Sequence, residues 1–434
     1  MSRESIDAEY VALRKNLTDY LLTGGRLAII KAPPGSGKTH TLIEVLSTLA
    51  SNGMHIAVAT QTNSQADDIC FRWARDHPEV ATARFSSKGR VAPDGFPPAV
   101  AWITEKTALP TGPGVTIATT AKWSVTELPG TYDLFAVDEA WQMSWADLMQ
   151  CALISEKYLM IGDPGQIPPV VSIDVRRWDT SPRAPHEAAP EVVLAEPELE
   201  SLAFVGALPA CHRLPNEAVN FVRPFYDFDF EAYVDCGARS VELSNGWGDA
   251  LATGRPLALT VPTPDHGPPI EVDHEIAQAA ANIVNELLSR PARLRLDKIG
   301  RELTADDLGI TSSHRVMNAA LASALGSLAN RIRVDTPERW QGLERPVMIA
   351  IHPLSGVSEP SAFDLETGRL CVMASRHQSG LILLTRDHIG ETLRNYVPSA
   401  NQAPSRPDTV GRGHDCHLKF WTQLEEVGSV VTLT

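Results

Sequence analysis

The chain has 434 residues, 43% hydrophobic and 21% charged, a composition that excludes a disordered protein and favours two or three globular domains. Lys and Arg total 38 against 53 Asp and Glu, and the net charge of −15 argues against a protein that coats nucleic acid through its overall field. The six cysteines form no Cys-x-x-Cys pair, and no apolar run reaches the length of a membrane helix. The first residues lack a signal-peptide profile, so we expect a cytoplasmic protein without membrane contact.

The first 165 residues alternate between helical and extended patterns. Apolar residues between Ile6 and Leu21 recur at helical spacing, and Gly24-Gly25 predicts the end of that helix. A strand, a helix and a second strand follow, at 27–30, 39–50 and 55–59, an order that predicts a parallel βαβ unit. Further strands are predicted at 115–118, 134–137 and 158–161. Polar residues follow each of them, as at the functional edge of a doubly wound sheet.

A second alternating pattern begins after a proline-rich stretch. Residues 174–198 are predicted to be a loop that approaches a domain boundary, with an ordered surface loop as the alternative. Strands are then predicted at 257–261, 308–311, 347–351 and 381–385. A helix is predicted from the spacing of Ile276, Ala280, Ile283 and Leu287. The pattern indicates a second α/β domain of similar size.

The segment Ala-Pro-Pro-Gly-Ser-Gly-Lys-Thr at 32–39 lies between the first strand and its helix, the context that a phosphate-binding loop requires. Glycines let successive backbone N–H groups surround phosphate oxygens, and the start of a helix adds a favourable partial charge. Lys38 is expected to reach the β- and γ-phosphates, and the Thr39 hydroxyl to bind Mg²⁺. The predicted nucleotide-binding residues are Pro34, Gly35, Ser36, Gly37, Lys38, Thr39 and His40. The alternative is an ordinary turn before a helix.

Two further polar segments follow strands. Asp138 and Glu139 end an apolar strand, where Asp138 is a candidate Mg²⁺ ligand and Glu139 a candidate general base for an attacking water. Alone, such a pair is also typical of a helix N-cap. Gln166 is a candidate to bond both the γ-phosphate and that water, with a solvent-facing amide in a proline-stiffened turn as the alternative.

These three segments, in this order, resemble superfamily 1 helicases, particularly their up-frameshift-like branch. His212-Arg213 resembles the Tyr-Arg motif of that branch, with His in place of Tyr. The run from Gln341-Gly342 to Glu344 and the run that ends at Arg376 resemble two later motifs. The resemblance implies that Arg213 and Arg376 act on the γ-phosphate. It further implies that the ring at 212 stacks on the base, that Gly342 lies beside the nucleotide and that Glu344 contacts the ribose.

The resemblance implies an α/β fold of two RecA-like domains, each a parallel β-sheet flanked by helices. We place the first domain at 1–205, the second at 206–398, and a linker with a short helix at 399–434. The implied function is that of an ATP-dependent helicase or translocase, which binds MgATP between its domains and acts, as a monomer, on single-stranded DNA or RNA. One alternative is an ATPase switch or protein remodeller without processive unwinding. The other is a P-loop kinase or transferase, which the acidic pair and the second-domain arginines disfavour.

Hydroxyl and amide side chains at several strand ends resemble family segments that hold the backbone phosphates of a single strand. They are Thr62, Asn63, Thr119, Thr120, Thr311, Ser312 and Thr336. Each cluster alone is also typical of a helix cap or a turn. A basic run between 71 and 90 indicates either a track for nucleic acid or a solvated face; it contains Arg72, Arg75, Arg84, Lys88 and Arg90.

Overall fold

The computed structural model describes residues 2–128, 131–170, 174–178, 181–243, 247–289, 292–398 and 408–433. These residues divide into two compact units. The first unit runs to Pro164 and includes Pro168–Pro209, whereas the second includes Gly165–Ile167 and continues from Ala210. No helix within the described ranges is both long enough and apolar enough to cross a bilayer.

The first unit is built on a parallel sheet that has eight strands among the described residues, in the order β4-β3-β5-β2-β6-β7-β1-β8. The strands are β1 Leu27–Lys31, β2 His55–Thr60, β3 Thr82–Phe85, β4 Val100–Ile103, β5 Gly114–Thr119, β6 Leu134–Asp138, β7 Tyr158–Gly162 and β8 Ala203–Ala207. The helices are α1 Arg3–Leu22, α2 Lys38–Ser51, α3 Asn63–Asp76, α4 Thr120–Ser124, α5 Trp145–Cys151, α6 Ala189–Ala195 and α7 Pro197–Glu200.

The central strands are mostly apolar because helices cover both faces of a parallel sheet. Every residue of β2 and of β6 is buried. The predicted strands at 115–118, 134–137 and 158–161 are confirmed as parts of β5, β6 and β7. The prediction of a loop over 174–198 is wrong from residue 189 onward, where α6 and α7 form. Each of these helices carries a proline in its first turn, a position where the missing N–H costs no hydrogen bond.

The second unit contains a parallel sheet with six strands in the described part of the chain, in the order β16-β15-β17-β18-β12-β19. A smaller antiparallel sheet has the order β11-β13-β14, and β9 pairs with β10. The strands are β9 Ala210–Cys211, β10 Glu231–Ala232, β11 Arg239–Glu242, β12 Leu257–Val261, β13 Arg293–Leu296, β14 Ile299–Glu302, β15 Leu308–Thr311, β16 Arg333–Asp335, β17 Arg345–Ile351, β18 His377–Arg386 and β19 Val430–Thr432. The helices are α8 Asn216–Val222, α9 Asp249–Ala252, α10 His274–Ser289, α11 Arg315–Leu325, α12 Pro337–Trp340, α13 Thr367–Ser375, α14 Ile389–Asn395 and α15 Thr409–Glu426.

Both faces of the second parallel sheet are covered by helices. One core contains apolar residues of α10 and α11, and the other contains those of α8, α13 and α15. The prediction of a short C-terminal helix is wrong in length, because α15 has 18 residues and buries Phe420, Trp421 and Leu424. Residues 399–407 of the predicted linker lie outside the described residues.

Three histidines are buried in the second unit. Burial lowers the pKa of His417 to about 3, and His414 adds to this effect. Burial also lowers the pKa of His377 to about 3, with the Arg213 charge acting in the same direction. Burial and the neighbouring His417 lower the pKa of His352 well below its usual value. All three rings are therefore neutral in the folded chain at neutral pH.

We expect these rings to make the fold sensitive to acid. A histidine whose pKa is lowered by folding takes up its proton only on unfolding, so stability falls as the pH drops from about 6.5 towards 3. Each such group costs on the order of 2 kcal/mol at pH 5. His417→Leu should flatten the dependence of the urea unfolding midpoint on pH between 7 and 5, and the exposed His266→Gln should not. Identical pH slopes for all three proteins would contradict this prediction.

Candidate nucleotide site

The phosphate-binding loop leaves β1 and enters α2 through two left-handed glycines. Gly35 has a φ of 62° and Gly37 a φ of 76°, a region that side chains disfavour and glycine adopts freely. The Ala32 N–H donates to the Gly162 carbonyl at 2.8 Å, which ties the start of the loop to β7. Successive N–H groups of such a turn, together with the start of α2, form a concave site for an anion.

Four predicted residues of the first unit lie together at the carboxyl edge of its sheet. The Lys38 Nζ lies 2.5 Å from the Glu139 Oε1, and the Thr39 hydroxyl donates to the Asp138 Oδ2 at 3.2 Å. They meet because β7 alone separates β6 from β1, so the ends of these strands share one edge. Glu139 has a φ of 55°, a strained conformation for a residue other than glycine. These contacts place the acidic pair beside the phosphate loop, and its roles as Mg²⁺ ligand and general base stay predictions.

Burial and charge shift the pKa values of two groups in this cluster. Burial raises the pKa of Asp138 to about 6; the Lys38 charge opposes this rise and the Glu139 charge adds to it. Burial alone would lower the pKa of Lys38, but the Glu139 and Asp138 charges outweigh it and raise that pKa above its usual value. The ammonium is therefore charged and close to an acidic pair.

The residues of the loop fit a phosphate group. The Ser36 hydroxyl is buried and has no hydrogen-bond partner within the described chain, a costly state that a bound oxygen would relieve. The Lys38 side chain is 18% exposed, so it is accessible from the loop. Thr39 and Asp138 supply the hydroxyl and carboxylate oxygens that Mg²⁺ prefers. His40 is exposed on the first turn of α2.

Gly162 at the end of β7 is a site residue that the sequence analysis missed. A Cβ at this position would lie 2.8 Å from the Ala140 N and 2.9 Å from the Trp141 ring. Because Ala140 directly follows Glu139, the bare glycine is what lets the acidic segment lie against β7. The sequence shows that Gly162 begins a Gly-Asp-Pro-Gly turn. It does not show that the backbone here contacts residues 140 and 141.

We expect Gly162→Ala to displace the Glu139 segment and to destabilise the first unit by about 1–3 kcal/mol, the usual cost of overpacking. Gly89→Ala is the matched control, since a Cβ there would meet no described atom within 4 Å. Thermal unfolding of both variants checks this. Equal melting temperatures would show that the contact with Ala140 and Trp141 relaxes at no cost.

Gln166 belongs to the second unit, although it was predicted as part of the first domain's motifs. A Cβ at Gly368 would lie 2.7 Å from the carbonyl carbon and oxygen of Gln166, so α13 approaches this backbone closely. The Gln341 amide donates to the Ile167 carbonyl at 3.5 Å. Gln166 itself is buried, and its role at the γ-phosphate stays a prediction.

The predicted arginines of the second unit lie near Glu344. The Arg213 Nε donates to the Glu344 carboxylate at 2.5 Å, and its Nη1 donates to the Ser375 carbonyl at 3.1 Å. The Gln378 amide donates to the other Glu344 oxygen at 2.7 Å. Burial would raise the pKa of Glu344, but Arg213, Gln378 and the charge of Arg376 together lower it. Arg376 follows α13 and is 1% exposed.

His212 and Gly342 also lie in the second unit. The centroids of the His212 and Tyr233 rings lie 4.0 Å apart, with 31° between the ring planes. The Tyr233 ring therefore covers one face of the imidazole. Gly342 has a φ of 77°, which explains why glycine follows Gln341 in this turn. Contact of either residue with a nucleotide stays a prediction.

The hydroxyls predicted to hold nucleic acid also cap helices. Thr62 caps α3 and Thr119 caps α4, each accepting a backbone N–H three residues ahead. Thr60 and Thr119 are paired in register, so these two polar segments are neighbours on one sheet edge. Thr62 and Asn63 are exposed, whereas the other members, apart from the half-buried Thr119, are buried: Thr120, Thr311, Ser312 and Thr336.

The basic run between 71 and 90 is largely neutralised. Arg84 is buried and donates to Asp67, Asn63 and the Phe85 carbonyl, so it belongs neither to a track for nucleic acid nor to a solvated face. The other four basic side chains each have a carboxylate partner: Arg72, Arg75, Lys88 and Arg90. These pairs favour the interpretation of a solvated face.

Comparisons with known proteins agree with this site. Residues 14–177, which include the loop and the acidic pair, match the family described as an AAA domain. The DNA replication ATP-dependent helicase/nuclease DNA2 of Saccharomyces cerevisiae is 24% identical over 172 residues, 38% of this chain and 11% of that protein. The DNA replication ATP-dependent helicase/nuclease JHS1 of Arabidopsis thaliana is 26% identical over 164 residues, 35% of this chain and 12% of that protein. The chain thus spans about a tenth of the length of these relatives.

Solved helicase structures also resemble the chain, more distantly. The arterivirus nonstructural protein 10 helicase matches with a TM-score of 0.45 and 15% identity, covering 84% of this chain and 61% of that one. Its complex with DNA matches with a TM-score of 0.44 and 13% identity, covering 82% and 60%. At these values the similarity decides nothing about function, and the α/β fold is established by the two parallel sheets themselves.

Proposed function

We propose that this chain, a member of the superfamily 1 helicases, hydrolyses MgATP in order to move on single-stranded DNA or RNA. The observation that carries the proposal is the cluster of Lys38, Thr39, Asp138 and Glu139 beside the phosphate-binding loop. The match to an AAA domain over this segment and the relatives named as ATP-dependent helicases support ATP as the nucleotide. Membership of the up-frameshift-like branch stays a prediction.

In the hydrolysis that we propose, the loop residues bind and the acidic pair acts on water. The N–H groups of the loop and the Lys38 ammonium bind the phosphates. Lys38 exchanges its ion pair with Glu139 for the phosphate oxygens, and the Glu139 carboxylate then accepts a proton from the attacking water. Thr39 and Asp138 would hold Mg²⁺, which would supply positive charge to neutralise the phosphate oxygens.

We propose further that Arg213 and Arg376 stabilise the charge that develops on the transferred phosphoryl group, as the family resemblance implies. Arg213 must then exchange Glu344 for a phosphate oxygen, and Gln378 is placed to keep a hydrogen bond to that carboxylate. Both sets of candidate residues are in one chain, which supports action as a monomer.

The nucleic acid is proposed to contact the polar strand ends of the sheets. Thr62 and Asn63 are the exposed members of this set, and they follow β2, whose Thr60 pairs in register with Thr119. Hydroxyl and amide contacts to phosphates carry no sequence information, so binding should be independent of base sequence. The relatives' names contain DNA replication, which supports DNA as one substrate.

The assay that tests the proposal measures ATP hydrolysis with and without single-stranded DNA and RNA. Glu139→Gln should lower kcat by about 10²–10⁴, the usual contribution of a general base, and should retain ATP binding. Lys38→Ala should lower kcat and weaken ATP binding. Lys419→Ala removes an exposed lysine paired with Asp415 and should change neither kcat nor ATP binding. A wild-type chain that hydrolyses no ATP, or a Glu139→Gln chain that hydrolyses at the wild-type rate, would refute the proposal.

A second prediction concerns the second unit. Arg376→Ala should lower kcat by about 10³–10⁵, as expected for an arginine that stabilises transferred phosphate. Arg394→Ala controls for the loss of a positive charge in the same unit, because it removes an exposed arginine that pairs with Glu425, and a melting curve of Arg376→Ala checks that the loss of this buried side chain leaves the chain folded. The rates are measured in the same ATPase assay. Normal hydrolysis by Arg376→Ala would exclude this residue from the reaction.

Unwinding of a tailed duplex separates a helicase from a switch. Strand separation that requires ATP and is lost in Glu139→Gln would support the helicase assignment. ATP hydrolysis stimulated by a single strand without strand separation would instead support the ATPase switch.

A further inference from the structure

Tyr10 of α1 contacts the phosphate-binding loop from outside the motifs named above. Its hydroxyl donates to the Ser36 carbonyl at 2.8 Å, and the residue is 9% exposed. Tyr10 belongs to the buried face of α1 with Ile6, Leu17 and Leu21. The packing of this face holds the Tyr10 hydroxyl at a fixed position beside the loop. In the sequence it is only one apolar position in a helical pattern.

The bonded carbonyl belongs to the peptide between Ser36 and Gly37. In a trans peptide the C=O and the following N–H point in opposite directions within one plane. A bond from Tyr10 to the Ser36 oxygen therefore fixes the direction of the Gly37 N–H, which must point away from α1. With this orientation the N–H belongs to the concave face of the loop, where an anion binds.

This peptide needs such a restraint because glycine follows it. Rotation of the plane changes ψ of Ser36 and φ of Gly37, and glycine populates positive and negative φ about equally. Gly37 has a φ of 76° here. In the opposite orientation the Ser36 oxygen would face the phosphates and repel them, so a bond that holds this oxygen favours the competent state.

We propose that Tyr10 is a positioning residue for nucleotide binding, which acts by holding the Ser36–Gly37 peptide in its anion-binding orientation. The inference deepens the proposed function and rests on it, because it assumes that the loop binds the phosphates of a nucleotide. It also links α1 to the site: a ligand that needs this orientation stabilises the contact between α1 and the loop.

The chain contains a matched control for this contact. Tyr20 is on the same helix and donates to the Leu202 carbonyl at 2.9 Å, in the chain before β8 and outside the phosphate loop. Tyr10→Phe and Tyr20→Phe each remove one hydroxyl that donates to one carbonyl and keep the ring. The Tyr10 bond is buried and the Tyr20 bond is exposed, so Tyr10→Phe should lose more stability, and both variants are compared well below their melting temperatures.

We expect Tyr10→Phe to raise the dissociation constant of a fluorescent ATP analogue about three- to tenfold, the usual effect of one hydrogen bond. KM for ATP should rise by a similar factor with kcat within about twofold, since the bond acts before the chemical step. In the nucleotide-free protein, hydrogen–deuterium exchange of the peptide that contains residues 35–38 should be faster than in wild type. Tyr20→Phe should match wild type in all three measurements.

Unchanged exchange in the loop of Tyr10→Phe, or nucleotide affinities equal to those of Tyr20→Phe, would overturn the inference. If wild type binds no ATP analogue, the proposed function fails and the inference fails with it. If wild type binds the analogue and Tyr10→Phe matches Tyr20→Phe, the inference alone fails.

Discussion

The ion pair between Lys38 and Glu139 is the interaction on which the first unit's site depends. Lys38 follows β1 and Glu139 follows β6, so the two residues are far apart in the chain. They meet at 2.5 Å because β7 alone lies between β1 and β6 in the sheet. The approach has two costs: Glu139 adopts a left-handed conformation, and β7 must end in a residue without a side chain. Such strain persists only where the surrounding structure enforces it, and here it brings a carboxylate to a phosphate-binding loop.

The second unit repeats this pairing with different residues. Arg213, also a candidate ligand of phosphate, is held by Glu344 at 2.5 Å, and Glu344 keeps a second donor in Gln378. A buried cation without an anion beside it is unstable. The Glu344 carboxylate pairs with the Arg213 guanidinium and so keeps this arginine charged and ordered. In both units the proposed arrival of a phosphate is thus an exchange of one anion for another, which costs less than burying a new charge.

Apolar runs in the sequence predicted the central parallel strands of both sheets, because a strand covered on both faces is largely apolar. The edge strands β4, β8, β16 and β19, and β3 beside β4, were not predicted. Short or glycine-containing elements were predicted poorly. The helices α6 and α7 lie in a proline-rich stretch, and the start of α15 contains Gly411 and Gly413, which pattern alone assigns to a linker. Gly413 is present because α15 packs against the Leu365 backbone, where a Cβ would overlap the carbonyl oxygen. A contact between distant segments has no local signature.

The sequence by itself determined where the candidate site of the first unit lies, since the Gly-Ser-Gly-Lys-Thr loop and the Asp-Glu pair each have a conformational and chemical requirement that few residue types meet. It also indicated, through order and resemblance, which arginines to examine. Only the tertiary structure decided that Gly162 lies against Ala140 and Trp141, that Tyr10 donates to the loop, that Arg84 is buried, and that Glu344 holds Arg213. These roles arise from distances between residues far apart in the chain, and such distances are set by sheet order and packing rather than by any local pattern.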